Sequence, residues 1–511
     1  MDTQQTSLKE TDPVITVSTL SESRKRSDTL LFIVIFVTTF SIAPLLIFGG
    51  LSVGPWLLLG IPAALIITYL IIRWPLAGLF FIAGSALLVE IQPLTTASDL
   101  TDRLYIFYWP PGLEGQIERP IGYLFIFVIL VVICHRFINR QQLLHGGGLL
   151  WPFLLFLLCV VGGVLHGLAS GGDLKITVVE VRPFWYFFES YLLAYNLITR
   201  KRDLYAFFWL VIIAAGVKGL QGVYIFLVVL HGSLTGNSIM SHEESFFCVA
   251  LILLVILFCL YYRYRPQLYA ALLALPCEVV TLIANQRRTD YIALLLGLVM
   301  ALALVFVMKP EVRKFLAVAV LLTAILGTSY ILAFSSSSGL FAAPARGIVS
   351  IFNPADSSVK ADSNLYRTVE DYDLVSTVKQ SPLIGLGFGK PYSEPIPLIT
   401  IFPGILAADM YYAYIPHNTI FWVWMRLGAI GFSSFWYLIG AAIVRGCLIA
   451  RQLKDRYLQL IAIYVIGVIA MEIVVAFGDY QLFVFRNVIY VGLLMGILMK
   501  LPTLDREKNF S

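Results

Sequence analysis

Runs of about twenty mainly apolar residues recur along almost the whole of this chain, separated on alternate sides by short loops rich in lysine and arginine. A lipid core offers backbone N–H and C=O groups no water to bond. A crossing segment must therefore satisfy them internally, as an α-helix of roughly 20 residues does. The runs predict spans at 30–48, 53–72, 75–92, 120–138, 149–168, 183–198, 204–230, 245–262, 267–284, 290–308, 315–334, 418–444, 457–477 and 481–499. At 59% hydrophobic and 13% charged, with a mean hydropathy of +0.85, the 511 residues are too apolar for a soluble fold and too long for one anchor. The expected class is an all-α polytopic membrane protein with about fourteen transmembrane helices (12–14).

The net charge of +5 is less informative than where the cations sit. With the N-terminus in the cytoplasm, most of the 36 Lys and Arg fall inside, among them Arg73, Arg136, Arg200, Lys201, Arg202, Lys309, Arg313, Arg445, Arg451 and Lys500. The positive-inside rule then supports this orientation and an even number of spans, with both termini cytoplasmic, and makes nucleic-acid binding a poor reading. The predicted organisation is a disordered tail at 1–28, helices 1–11 over 29–334, a long extracytoplasmic loop at 335–417, three helices over 418–500 and a tail at 501–511. The other long outer loops are 93–119 and 169–182. Six cysteines without CxxC spacing suggest neither a disulfide framework nor a zinc site, and no metal or cofactor is expected.

Long loops of this size are usually functional or disordered. Residues 335–361 read as a flexible linker, and Asp362-Ser363 as the cap of a helix with Val369, Tyr372, Val375 and Val378 on its apolar face. Glu370, Asp371, Asp373 and Lys379 take the other faces. Pro382 stops the helix, and Gly385, Gly387 and Gly389 form a turn. The apolar, proline-broken segment 391–416 should lie on the interface or re-enter it.

Three segments carry candidate chemistry. His417-Asn418 opens the twelfth span where water meets hydrocarbon. Histidine, with an unperturbed pKa near ~6.5, is a general base suited to neutral pH, and the plainer reading is an interfacial histidine with Asn418 as helix cap. Arg287-Arg288 stand at the outer end of the tenth span, where the charge rule disfavours them. They either hold an anion through the planar guanidinium fork or pair locally with Asp290 or Glu278. Arg367 lies near the start of the loop helix, in reach of Asp371 at i+4, and gains interest if that helix folds over the outer mouth of the bundle. Lys218, Glu278, Arg426, Glu472 and Arg486 are ionisable groups within spans, with Glu472 and Arg486 at similar depth in adjacent helices, an expected bridge.

In their order, QRRTDYIALLLGL, YRTVEDYDLVSTVKQSPLIGLGFGKPY and HNTIFWVWMRLGAIG resemble the motifs of the O-antigen ligase and O-antigen polymerase superfamily of bacterial membrane glycosyltransferases, over roughly residues 280–445. Arg288 and Arg367 fall at the family's two arginines, His417 at its histidine, and Gly428 and Gly431 at its paired glycines. Arg287 and Thr289 depart from the small residues usual beside the first arginine, and Arg426 stands where glutamate is frequent. The resemblance implies a GT-C-like bundle in the bacterial inner membrane. It implies a donor glycan on undecaprenyl diphosphate and an acceptor hydroxyl on another glycan or on lipid A core, in lipopolysaccharide or exopolysaccharide synthesis. Arg288, Arg367 and His417 would be catalytic, with Arg287, Tyr366 and Asn418 binding substrate, by metal-independent inverting transfer. A transporter or channel for a small anion or solute is the competing reading, and a structural scaffold the third.

Overall fold

The computed structural model describes residues 56–90, 106–109, 118–234, 238–261, 265–337, 339–352, 358–401 and 412–506. The predicted span at 30–48 and the N-terminal tail lie outside them. Regular structure among the described residues is helical. The first ten helices are α1 (Trp56–Arg73), α2 (Pro75–Leu88), α3 (Pro120–Ile138), α4 (Leu150–Ala169), α5 (Leu174–Leu197), α6 (Lys201–Tyr224), α7 (His242–Tyr261), α8 (Arg265–Asn285), α9 (Arg288–Met308) and α10 (Arg313–Phe334). After them come α11 (Ala343–Phe352), α12 (Ser358–Gln380), α13 (Leu398–Ile401), α14 (Thr419–Gln452), α15 (Arg456–Gly478) and α16 (Phe485–Arg506).

Every predicted span from 53–72 onward falls on one of these helices, and ten of them are long and apolar enough to cross a membrane. The protein is a multi-pass membrane protein. Its connections alternate between two ends. At one end cluster the basic loops, tied by Lys201 to Asp455 (2.7 Å) and by Arg136 to Asn196 (2.6 Å). At the other end, the site end, lie the start of α9, the residues before α14 and the α15–α16 connection, where Arg287 pairs with Asp479.

Helices α7, α15 and α16 form the buried centre, whereas α10 is almost wholly exposed, as a lipid-facing helix must be. Close packing of α16 on α5 depends on Gly492 and Gly496, four residues apart. A Cβ there would stand 2.5 and 2.4 Å from the carbonyls of Phe187 and Tyr191.

Several boundaries move. The expected outer loop at 169–182 is largely helix, because α5 starts at Leu174 with Asp173 capping the Ile176 N–H. Glu180 and Arg182 lower the hydropathy there, but both are buried. The expected linker contains α11, with Pro344 harmless in its first turn, and α12 begins at Ser358, ahead of the predicted cap at Asp362. In the predicted C-terminal tail, 501–506 continue α16. Of the 391–416 segment, α13 is described and 402–411 lie outside the described residues.

The glycine turn after α12 forms as expected, and it seats inside the bundle. Gly385, Gly387 and Gly389 have φ of 83°, 79° and 81°, and α14 is itself broken at Gly428 (φ 61°, ψ −173°). The break frees backbone groups that the turn then satisfies. Leu386 and Gly387 donate to the carbonyls of Met425 (2.7 Å) and Arg426 (3.1 Å), and Ala429 donates to that of Pro382 (2.8 Å). Irregular backbone at this depth is tolerated because protein covers it. Arg426, completely buried, pairs with Glu180 and donates to the carbonyls of Gly387 (3.1 Å), Lys390 (2.6 Å) and Tyr414 (3.0 Å), so its charge pins the turn.

The Glu472–Arg486 bridge is not made. Arg486 pairs with Glu243 and Glu244, while Glu472 accepts from Asn487 Nδ2 (3.0 Å). Lys218 joins the same network through Glu90 (2.6 Å) and Glu244 (3.3 Å).

Candidate functional site

Helix α12 lies against the start of α14, and its buried face is not the predicted one. Val369 and Val378 face inward, but Tyr372 and Val375 are exposed, and Glu370 and Asp373 are buried at 1% and 0% exposure. Period analysis sends carboxylates outward because it assumes an apolar partner surface. Here the surface that α12 covers is mixed: Leu374 and Val378 join the apolar core and Val369 packs on Leu398, while Glu370 and Asp373 turn in to accept from the backbone N–H groups of His417 and Ile396.

Glu370 is the residue that this reversal brings to the site. Its Oε2 accepts from the His417 backbone N–H (2.9 Å), and its Oε1 stands 3.2 Å from His417 Nδ1. A buried carboxylate against Nδ1 keeps the proton on that nitrogen and leaves Nε2 as the acceptor. Nε2 has no hydrogen bond among the described residues, and the His417 side chain is 32% exposed. Asn418 is the N-cap of α14, accepting from Phe421 N (3.1 Å), and its Nδ2 donates to Asp371 (3.0 Å). The cap reading accounts for that first bond. The second fastens α12 to α14.

The Arg367–Asp371 pair that the spacing suggested is not formed. Arg367 stands half-buried, and among the described residues it makes no ion pair. Burial, together with the nearby charges of Arg287 and Arg288, pushes its pKa down to about 10, so it remains cationic at neutral pH. Arg288 donates to Ser350 of α11 (carbonyl 3.2 Å, Oγ 3.3 Å) and to Asn364 of α12 (2.8 Å), neutral partners both. Only Arg287 has a carboxylate, and that is Asp479 rather than Asp290 or Glu278. Three guanidiniums, from the start of α9 and from α12, thus act on one another at one end of the bundle; one is paired with a carboxylate, and Asp290, Glu370 and Asp371 act on them from farther off. Two of the three have no ion-pair partner among the described residues, which suits them to an added anion.

Aromatic rings line the same place. Tyr366 and Tyr480 each meet His417 edge-on, at 5.2 and 5.8 Å between centroids. Beyond Tyr480 lies His242, at 6.5 Å, with Nδ1 3.2 Å from Asp479. All six residues singled out from the sequence therefore assemble at one end. Glu370, Asp479, Tyr480 and His242 are additions; the spacing assigns Glu370 to an outward face of its helix, and the trace of the other three in the sequence is that GDYQ and HEES interrupt apolar runs. Among the described residues no group of three or more His, Cys, Asp or Glu side chains is arranged to hold a metal ion.

Residues 269–436 match the family model described as O-antigen ligase. The matched interval runs from α8 into α14 and contains all three arginines, His417 and the glycine turn. The match covers about a third of the chain and overlaps the three segments whose motifs resemble that family. No curated protein matches the chain.

Proposed function

We propose, taking the O-antigen ligase domain of residues 269–436 as the premise, that this protein transfers a glycan from undecaprenyl diphosphate to a sugar hydroxyl at the extracytoplasmic face of the inner membrane. The acceptor is a growing glycan or a lipid A core, and the bundle is of the GT-C kind. The observation that carries the reading is the convergence of Arg287, Arg288 and Arg367 beside a His417 whose Nδ1 is set against buried Glu370.

The chemistry follows from the positions. His417 Nε2 takes the proton of the acceptor hydroxyl as its oxygen attacks the anomeric carbon. The bond from that carbon to the phosphate oxygen breaks, and its electron pair leaves with the diphosphate. Diphosphate is already a good leaving group, so the site's main task is to stabilise the charge that grows on it. Fixed guanidiniums supply that in a region of low dielectric, without a metal. Attack opposite the leaving group inverts the anomeric carbon. Tyr366 borders the imidazole, and Asn418 holds α12 over the site, so binding by these two is partly structural.

The transport alternative asks the buried ions to line a passage. Lys218, Glu90, Glu244 and Arg486 instead close on one another within the bundle. The test is to supply purified protein in detergent with lipid-linked glycan from native membranes and look for transfer, alongside solute flux in proteoliposomes. Flux without transfer would reject the enzyme.

A further inference from the structure

Two imidazoles, not one, face this site. His242 opens α7, a helix far from α14 in the chain, and its surroundings are like those of His417 except that its Nδ1 makes no hydrogen bond. In each case Nδ1 lies 3.2 Å from a buried carboxylate, Asp479 for His242 and Glu370 for His417. Each side chain is 32% exposed, each carboxylate side chain 1% exposed, and neither Nε2 has a hydrogen bond among the described residues. The Tyr480 ring neighbours both, with centroids 6.5 Å from His242 and 5.8 Å from His417. Asp479 also pairs with Arg287, so one buried carboxylate fixes both a histidine and an arginine of the anion cluster.

The balance of donors and acceptors says what the second imidazole is for. Arg287, Arg288 and Arg367 are donors only, suited to phosphate oxygens and unable to accept from a hydroxyl. Glu370 is already turned to His417, and Asp479 accepts from Arg287, Gln481 and the Tyr480 backbone N–H. The two Nε2 atoms can accept hydroxyl protons, and one aromatic ring borders both imidazoles. A pyranose presents hydroxyls around its rim and an apolar C–H face, and it matches that arrangement. We propose that His242, Tyr480 and His417 form the acceptor-sugar subsite. Tyr480 lies against the sugar's apolar face, His417 takes the proton of the attacking hydroxyl, and His242 Nε2 accepts from a second hydroxyl of the same sugar. This rests on the transferase reading above and adds to it a binding residue on α7.

The test uses the full chain in detergent, with lipid-linked glycan from native membranes as donor, glycan released from the same membranes as acceptor, and undecaprenyl diphosphate as the binding probe for the arginine cluster. Loss of one hydrogen bond of about 0.5–1.5 kcal/mol corresponds to an acceptor KM raised about 2- to 13-fold in His242→Ala. We expect kcat to change less than KM and undecaprenyl diphosphate affinity to stay as in wild type. His242→Gln, whose carbonyl can accept, should recover part of the loss, and Tyr480→Ala should raise acceptor KM as well. A purely structural His242 would lower yield and donor affinity together, without rescue by glutamine, and that result overturns the proposal. So does an unchanged acceptor KM in His242→Ala of an active enzyme, which leaves the transferase reading standing. Wild-type protein that transfers nothing under these conditions would reject both.

Discussion

Replacing Glu370 by glutamine separates the orientation of His417 from every other feature of the site. The carboxylate makes two contacts, 2.9 Å to the His417 backbone N–H and 3.2 Å to Nδ1, and it is almost fully shielded from water. Glutamine has nearly the same shape. Its oxygen can keep the backbone contact, which turns its NH₂ toward Nδ1 and favours the tautomer with the proton on Nε2. That tautomer cannot accept a proton from the acceptor hydroxyl. Losing a charge-assisted hydrogen bond costs about 1.5–3 kcal/mol, and the new amide contact favours the wrong tautomer by a further ~0.5–1.5 kcal/mol. The combined ~2–4.5 kcal/mol corresponds to a rate about 30- to 2000-fold lower at saturating donor. Initial rates of glycan transfer measure it, with undecaprenyl diphosphate affinity as the internal control, since the arginines are untouched. Glu370→Gln turning over within about threefold of wild type would refute the assignment of Glu370 as the group that positions the base.

Arg288→Lys and Arg367→Lys should each insert and purify normally yet lose most transfer activity and weaken undecaprenyl diphosphate binding, because lysine keeps the charge without the two-pronged fork; near-normal turnover would reduce both to field effects. Gly387→Ala should destabilise the bundle by about 2–3 kcal/mol, since its φ of 79° is left-handed and the new Cβ would stand 2.5 Å from the Gly167 backbone. Thermal unfolding in detergent measures this. Burial raises the carboxyl pKa of Asp371, against its hydrogen bond from Asn418, and that of Asp373, so the folded chain holds these protons more tightly than the unfolded one. Their contribution is full below the ordinary carboxylate range and lost as pH rises through the raised values. The docking of α12 should therefore be tighter at acid pH, below the ordinary carboxylate range, than at neutral pH, read from hydrogen exchange of its amides after correction for intrinsic rates. In a background without the six native cysteines, Leu365→Cys and Leu340→Cys should react with an impermeant thiol reagent from outside the cell, and Lys201→Cys and Lys454→Cys should not. The reverse pattern would invert the topology.

The spans were legible because lipid imposes one rule on every crossing segment, and that rule leaves its mark within about twenty consecutive residues. The same holds for the alternation of basic loops, for the helix that ends before Pro382, and for the turn at Gly385, Gly387 and Gly389, each set by local chemistry. Alternation alone also sends Arg288, Arg367 and His417 to one end. What it cannot say is which helix stands beside which around the bundle. The partners of buried charges depend on that order, so Arg486 meets Glu243 and Glu244 rather than Glu472, Arg426 meets Glu180, and Arg287 meets Asp479. Periodicity fails for α12 for a related reason. Hydrophobic spacing reveals a face that packs on apolar groups, whereas this helix packs Leu374 and Val378 on the core and is also held to the polar start of α14 through Glu370 and Asp371. Only the tertiary structure puts a buried carboxylate behind His417, because only the packed bundle supplies the polar surface that makes burying it favourable.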